Sequence, residues 1–309
     1  MDISSLLNKI KSVNGFSRVT PILEGYSSDK KYLVGIGDQK LLLRTFKPEE
    51  LPRKSEEFEA LKMMVSRKVK CSAPIELGMD ESGQVAYMVL SYVEGTDAEK
   101  AVLYLSHREQ YDLGFQAGVE LFKVNSCEAP LKVTAWDVRK SAKHQRYIKK
   151  YWEQDVRVSH DRVIERFIED HMSLMKDRPN RFQHDDFHIR NMIVDGKDLS
   201  GIIDFGRFDW GDPIHEFLKV GQFSSEVSVP FSVGQIHGYF GGTEPNDEFW
   251  SLYSLYLAMS VFSSVVWTGQ VCPDEMPSML KILERVINDH QDFSNLRPSW
   301  YTNFSAKGL

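Results

Sequence analysis

The chain has 309 residues, 42% hydrophobic and 27% charged, which suits a globular protein with a sizeable core and two domains, or two lobes of one catalytic unit. Its 38 basic and 44 acidic residues leave a formal charge of −6, which argues against a nucleic-acid partner and is compatible with a cationic small substrate. Cys71, Cys127 and Cys272 are odd in number and in neither CxxC nor Cys/His ligand spacing, so they read as buried thiols rather than a disulfide framework or a zinc site. No continuous apolar segment of signal-peptide length opens the chain, and no run approaches the roughly 20 apolar residues of a membrane span, so the cytoplasm is the expected location.

Strands are expected over Arg18 to Leu23, Tyr32 to Ile36 and Lys40 to Phe46, the last two forming a hairpin around Gly37-Asp38. From Pro52 to Met64 the period becomes helical, with Phe58, Leu61 and Met64 on one face. Strand character returns over Pro74 to Leu77 and Val85 to Val93, separated by an Asp80-Glu81-Ser82-Gly83 turn. Beyond Glu94-Gly95 the periodic segments are helical: Gln110 to Lys123, Lys143 to Glu153, Asp161 to Lys176, Asn246 to Thr268 and Met276 to Gln291. Phe249 to Trp267 is apolar nearly all round and should be a buried helix. A boundary between residues 1–94 and 95–309 follows.

The stretch His184 to Asp204 carries the chemistry. Phosphoryl transfer needs an acceptor oxygen in line with the terminal phosphate and metal ions to neutralise the phosphate oxygens, so little covalent chemistry falls to the protein. Asp186 is placed to orient an acceptor hydroxyl and take its proton. Asn191, five residues on, and Asp204 offer hard oxygens suited to Mg²⁺. Two apolar runs, Met192-Ile193-Val194 and Gly201-Ile202-Ile203, flank Asp195-Gly196-Lys197-Asp198 as a hairpin, which returns the chain between Asn191 and Asp204.

The pattern HxDxxxxN, then IIDFG, then Gly211-Asp212-Pro213 resembles the aminoglycoside phosphotransferase and choline kinase superfamily, specifically its antibiotic phosphotransferases. The resemblance implies an α+β, bilobal, protein-kinase-like fold. Its N-terminal nucleotide lobe is a small antiparallel sheet with one helix, and its larger, mainly helical C-terminal lobe carries a catalytic hairpin. It also implies that Asp186 is the catalytic base, that Asn191 and Asp204 are metal ligands, and that His184 and Asp212 support the loop. Three departures stand out: Asp185 where the family has glycine, Phe122-Lys123 where it often has Leu-His, and no Ala-Pro-Glu activation segment. His188 reads equally as a packing or hydrogen-bonding residue and as a substrate contact.

In the first lobe, Ser27 and Ser28 lie where a cover over the nucleotide phosphates belongs. Arg44 ends the third strand where protein kinases carry lysine, and its expected partner is Glu57 on the following helix, with Glu59 second. Backbone groups of Ser91, Tyr92 and Val93 should meet the purine edge of ATP or GTP. Asp209, Glu216 and Glu226, with Asp247 and Glu248 further on, are candidate carboxylates for a cationic aminoglycoside-type acceptor. A macrolide, a tuberactinomycin-type peptide or a choline-like metabolite would use the same chemistry. A nucleotide-binding pseudokinase scaffold is the alternative of another class, disfavoured by the intact Asp186, Asn191 and Asp204 set. Oligomeric state is not readable.

Overall fold

The computed structural model describes residues 3–23 and 29–304. The chain divides into two compact units. The first is Met1–Thr96 with Ile193–Asp195 and Ser200–Gly206; the second is Asp97–Met192, Gly196–Leu199 and Arg207–Leu309.

The first unit is built on an antiparallel sheet in the order β1-β2-β3-β5-β4. Its strands are β1 (Arg18–Ile22), β2 (Lys30–Ile36), β3 (Gln39–Phe46), β4 (Pro74–Met79) and β5 (Ala86–Ser91). β2 and β3 turn through Gly37 at φ +57°, the positive value that a two-residue hairpin loop asks of its first residue. Alternation along β3 then separates two faces. Leu41 and Leu43 pack with Val34, Val89, Tyr87 and with Leu6, Leu7, Ile10 and Val13 from the N-terminal segment, which begins as the short helix α1 (Ile3–Leu7). Arg44 points the other way, towards α2 (Leu51–Ser66), whose Phe58, Leu61 and Met64 are buried.

In the second unit, the helix His107–Val124 starts at a reciprocal capping box between Ser106 and Glu109. It packs against Val229–Tyr239, a helix that hydrophobic periodicity did not reveal. Gly114 and Gly118 face Gly234 and Gly238, and a Cβ on any of them would meet the opposing helix backbone far inside van der Waals contact. Two GxxxG segments thus bring the backbones together, and the glycines are needed for that approach.

Asp247–Val271 is the core helix, carrying buried Trp250, Tyr253, Tyr256, Val261 and Phe262. By length and composition it could cross a membrane, which corrects the expectation that no segment approaches one; 83% of its apolar window is buried inside the protein. Trp136–Trp152 begins seven residues before the expected Lys143, because Trp136 inserts in the core and donates to Tyr256 Oη at 2.9 Å. Of the three free thiols only Cys127 is buried; Cys71 and Cys272 are partly exposed, so the expectation of three buried thiols is corrected.

Candidate active site

In the first unit, the buried face of β3 and the start of α2 bring together four ionisable side chains, Arg44, Asp29, Lys54 and Glu57. Arg44 donates from Nε and Nη2 to Asp29 Oδ2 at 2.8 and 2.6 Å and from Nη1 to Glu57 Oε1 at 2.5 Å. Lys54 donates to the same Asp29 oxygen at 2.7 Å and lies 3.6 Å from Glu57. Burial opposes the charge on Arg44, but Glu57 and Asp29 outweigh it and raise its pKa. Glu59, the second candidate partner, instead pairs with Lys62 at the surface. Asp29 and Lys54 were not singled out from the sequence, since a polar residue after a turn and a lysine on an amphipathic helix carry no local signal.

Asp204 is exposed and adopts φ +66°, with no hydrogen bond or ion pair among the described residues. A Cβ at Gly206 would lie 3.4 Å from Glu57 Oε2 and 3.5 Å from Asp204 Oδ1, which places both carboxylates beside that glycine. At the end of β5, Ser91 N–H donates to Ala73 O at 2.8 Å and Tyr92 N–H to Lys40 O at 3.3 Å. Ser27 and Ser28 lie outside the described residues.

In the second unit, the strand Arg181–Gln183 pairs with Asp209–Gly211 and delivers the chain into the loop that carries Asp186. Asp185 sits at φ +60°, the left-handed region that glycine adopts freely and Asp tolerates. Asp186 receives Lys219 Nζ at 3.0 Å and His188 Nε2 at 3.3 Å, with Arg207 Nη1 at 4.0 Å. Burial favours its neutral form, yet Lys219 and His188 outweigh it and hold the carboxyl far below the usual carboxylate range. Asn191 Nδ2 donates to Asp186 O at 2.9 Å and to Oδ2 at 3.2 Å, which leaves the Asn191 amide oxygen for another partner. His188 takes the hydrogen-bonding role: its Nδ1 accepts from Arg190 N–H at 3.3 Å, leaving Nε2 to face Asp186.

Asp212 is fully buried; it accepts from Arg178 at 2.7 and 3.1 Å and from Tyr256 Oη at 2.8 Å, while its carbonyl accepts from Gln183 Nε2 at 2.6 Å. It is anchored in the core and reaches the loop through Gln183. His184 is also fully buried, edge-on to Phe187.

Among the candidate acceptor carboxylates, the expectation for Glu216 is corrected. Glu216 is 1% exposed and its Oε1 accepts from the backbone N–H of His184 and of Asp185, so it braces the loop from inside. Burial and the neighbouring Asp185 push its pKa up to about 8, which leaves it mostly protonated at neutral pH. Asp209 is held by Arg139 at 3.1 and 3.2 Å. Glu226 is exposed on the one-turn helix Ser225–Val227, while Asp247 and Glu248 pair with Arg297 and Arg178.

No group of three or more His, Cys, Asp or Glu among the described residues could cage a metal. Mg²⁺ asks for less, one or two protein oxygens beside phosphates and water, and the open carboxylate of Asp204 and the remaining oxygen of Asn191 each fit that demand.

A small antiparallel sheet with one principal helix in one unit and a mainly helical second unit define an α+β kinase-like fold. The chain belongs to the phosphotransferase enzyme family APH, whose model matches residues 18–250. Among solved structures it is similar to a thermostable mutant of aminoglycoside phosphotransferase APH(4)-Ia in complex with ADP and hygromycin B, with TM-score 0.68 and 14% identity over 93% of this chain and 98% of that one. It is also similar to the GDP complex of aminoglycoside 2'-phosphotransferase-IIIa, with TM-score 0.68 and 14% identity over 92% and 97% of the two chains. For the gentamicin complex of APH(2")-IIa the TM-score is 0.64 and the identity 16%, over 91% and 95%. No curated protein matches the chain.

Proposed function

We propose that this protein transfers the terminal phosphate of ATP or GTP to a hydroxyl of a small molecule. The observation that carries the reading is Asp186, ionised by Lys219 and His188 and fixed by Asn191 in a family of phosphotransferases. Asp186 takes the proton of the acceptor hydroxyl as its oxygen bonds to the terminal phosphorus. The bond from that phosphorus to the bridging oxygen breaks, and a nucleoside diphosphate leaves. Mg²⁺ supplies charge neutralisation on the phosphate oxygens; Asn191 and Asp204 are the residues that would hold it. Arg44, positioned by Glu57 and Asp29, addresses the inner phosphates, and peptide groups of Tyr92 and Val93 address the purine edge.

Neighbours solved with ADP and GDP support a nucleotide donor. Hygromycin B and gentamicin in neighbouring structures support a polyhydroxylated acceptor and a role in antibiotic resistance. The test is nucleotide consumption with Mg²⁺ across an acceptor panel by the wild type and Asp186→Ala. Acceptor-dependent turnover should fall at least about a thousandfold in the variant while nucleotide binding persists. Unchanged transfer in Asp186→Ala would sink the mechanism and leave the scaffold reading.

A further inference from the structure

Between the buried Glu216 and the helix Val229–Tyr239 the chain forms a π-helical turn, Val220–Ser224, entered from Lys219. A π turn is rare and releases backbone groups from the ordinary helical ladder. Arg285 takes two of its carbonyls, donating from Nη2 to Gly221 O at 3.1 Å and to Gln222 O at 2.7 Å. Gln222 Nε2 donates in turn to Ser260 Oγ at 2.9 Å and Ser264 Oγ at 3.2 Å on the core helix. The turn is thereby fastened to the helices Met276–Asp289 and Asp247–Val271.

The same turn grips the loop that carries Asp186. Ser224 Oγ accepts from Ile189 N–H at 3.1 Å, and the Phe223 and His188 rings lie 5.1 Å apart. Lys219 Nζ stands 5.3 Å from the Phe223 ring and reaches Asp186 Oδ1 at 3.0 Å.

The two oxygens of Asp186 are then unequal. A carboxylate offers about four acceptor positions, two on each oxygen. Oδ1 meets both Lys219 and, at 3.3 Å, His188 Nε2. Because His188 Nδ1 accepts from Arg190 N–H, the neutral ring carries its proton on Nε2, facing Oδ1. Among the described residues Oδ2 receives Asn191 Nδ2 at 3.2 Å, while Arg207 Nη1 stands beyond hydrogen-bond reach at 4.0 Å. The carboxylate torsion is soft and roughly two-fold, so the side chain alone does not choose between its oxygens.

We propose that Lys219 is a positioning residue for phosphotransfer: with His188 it fills Oδ1 and presents Oδ2 to the acceptor hydroxyl. This rests on the phosphotransfer reading above. The hydroxyl proton passes to Oδ2 as the oxygen's electron pair bonds to the terminal phosphorus, and the bridging oxygen keeps the pair of its broken bond and leaves with the nucleoside diphosphate. Without Lys219 the carboxylate turns, its open position moves, and the hydroxyl loses its in-line approach.

The experiment compares wild type, Lys219→Met and Lys219→Arg in Mg²⁺-dependent transfer from ATP or GTP to hygromycin B, gentamicin or choline, with hydrolysis by water as the readout where none accepts. Methionine keeps an apolar stem beside Phe223 and removes the donor; arginine keeps donor and charge. In Lys219→Met kcat should fall about ten- to a hundredfold, with nucleotide KM within about twofold of wild type and the melting temperature unchanged, and Lys219→Arg should recover most of the loss. Losing a cation makes a carboxylate the stronger base, which alone favours proton removal, so a fall in kcat reports orientation. A crystal structure of Lys219→Met should show the Asp186 carboxyl plane rotated. A kcat within about twofold of wild type, a loss matched by a lower melting temperature, an equal loss in both variants, or an unrotated carboxylate overturns the proposal. If Lys219→Met does not fold, Lys219→Gln takes its place under the same criteria. A wild type that consumes no nucleotide, alone or with any acceptor, refutes the phosphotransfer reading itself; in an active wild type the Lys219 variants decide the positioning role alone.

Discussion

Replacing Arg44 tests whether the buried charge network of the first unit is an organised structural element. Arg44→Met leaves Asp29 and Glu57 to share Lys54, which donates to one at 2.7 Å and stands 3.6 Å from the other. Removing one member of a buried ionic group costs about 3–5 kcal/mol, because the remaining charges are stranded out of water. Arg44→Lys keeps the charge but loses the fork that serves Asp29 and Glu57 together. With charge-assisted hydrogen bonds at about 1.5–3 kcal/mol each and partial replacement by the ammonium, its cost should be about 1–3 kcal/mol. Urea unfolding at neutral pH should therefore rank wild type above Arg44→Lys above Arg44→Met, with nucleotide affinity falling in the same order. Asp29 adds an acid-side signature. Burial alone would raise its pKa, yet Arg44 and Lys54 bring it below 3.8. The stability it contributes is present above about pH 4 and is lost as the pH falls through the lower folded value, a slope that Arg44→Met should shrink. If both variants stay within about 1 kcal/mol of wild type, the network behaves like a screened surface pair and the reasoning fails.

Glu216→Gln should change the pH dependence of stability. A carboxyl raised from 4.5 to about 8 holds its proton in the folded state and loses it in the unfolded one, so its contribution falls as the pH rises between those values, by at most on the order of 5 kcal/mol. The difference in urea midpoint between wild type and Glu216→Gln should drift against the wild type from pH 5 to 8; a constant difference contradicts burial as the cause. Gly118→Ala should cost about 3 kcal/mol or prevent accumulation of folded protein, because its Cβ would push on Gln235 O and Tyr239 N across the helix pair. Gly269→Ala, whose Cβ would meet only ordinary contacts at 3.5 and 3.6 Å, should be neutral or slightly stabilising by thermal melting. An equal loss in both glycine variants would refute the close-approach argument.

Local signals were legible in the chain itself. The strand hairpin at Gly37, the amphipathic α2, the apolar run that became Asp247–Val271 and the loop holding Asp186 and Asn191 all depend on residue order over a few turns or strands. Period and turn chemistry report such order directly. The parity of β3 likewise set Arg44 apart from the face of Leu41 and Leu43. The helix Val229–Tyr239 escaped because it is buried through glycines and has no polar face to supply a period.

What only the tertiary structure decided is how distant charges meet. Glu216, Asp209 and Glu226 look alike along the chain, yet one is sealed under the loop, one is tied to Arg139 and one is exposed. Lys140, His215 and Lys219 come from separate segments and converge on Asp185 and Asp186. Coulomb energy and desolvation depend on separation in space and on access to water, and neither quantity is written in sequence distance. The sequence determined the local order of the loop that holds Asp186 and Asn191; folding determined which charges surround it.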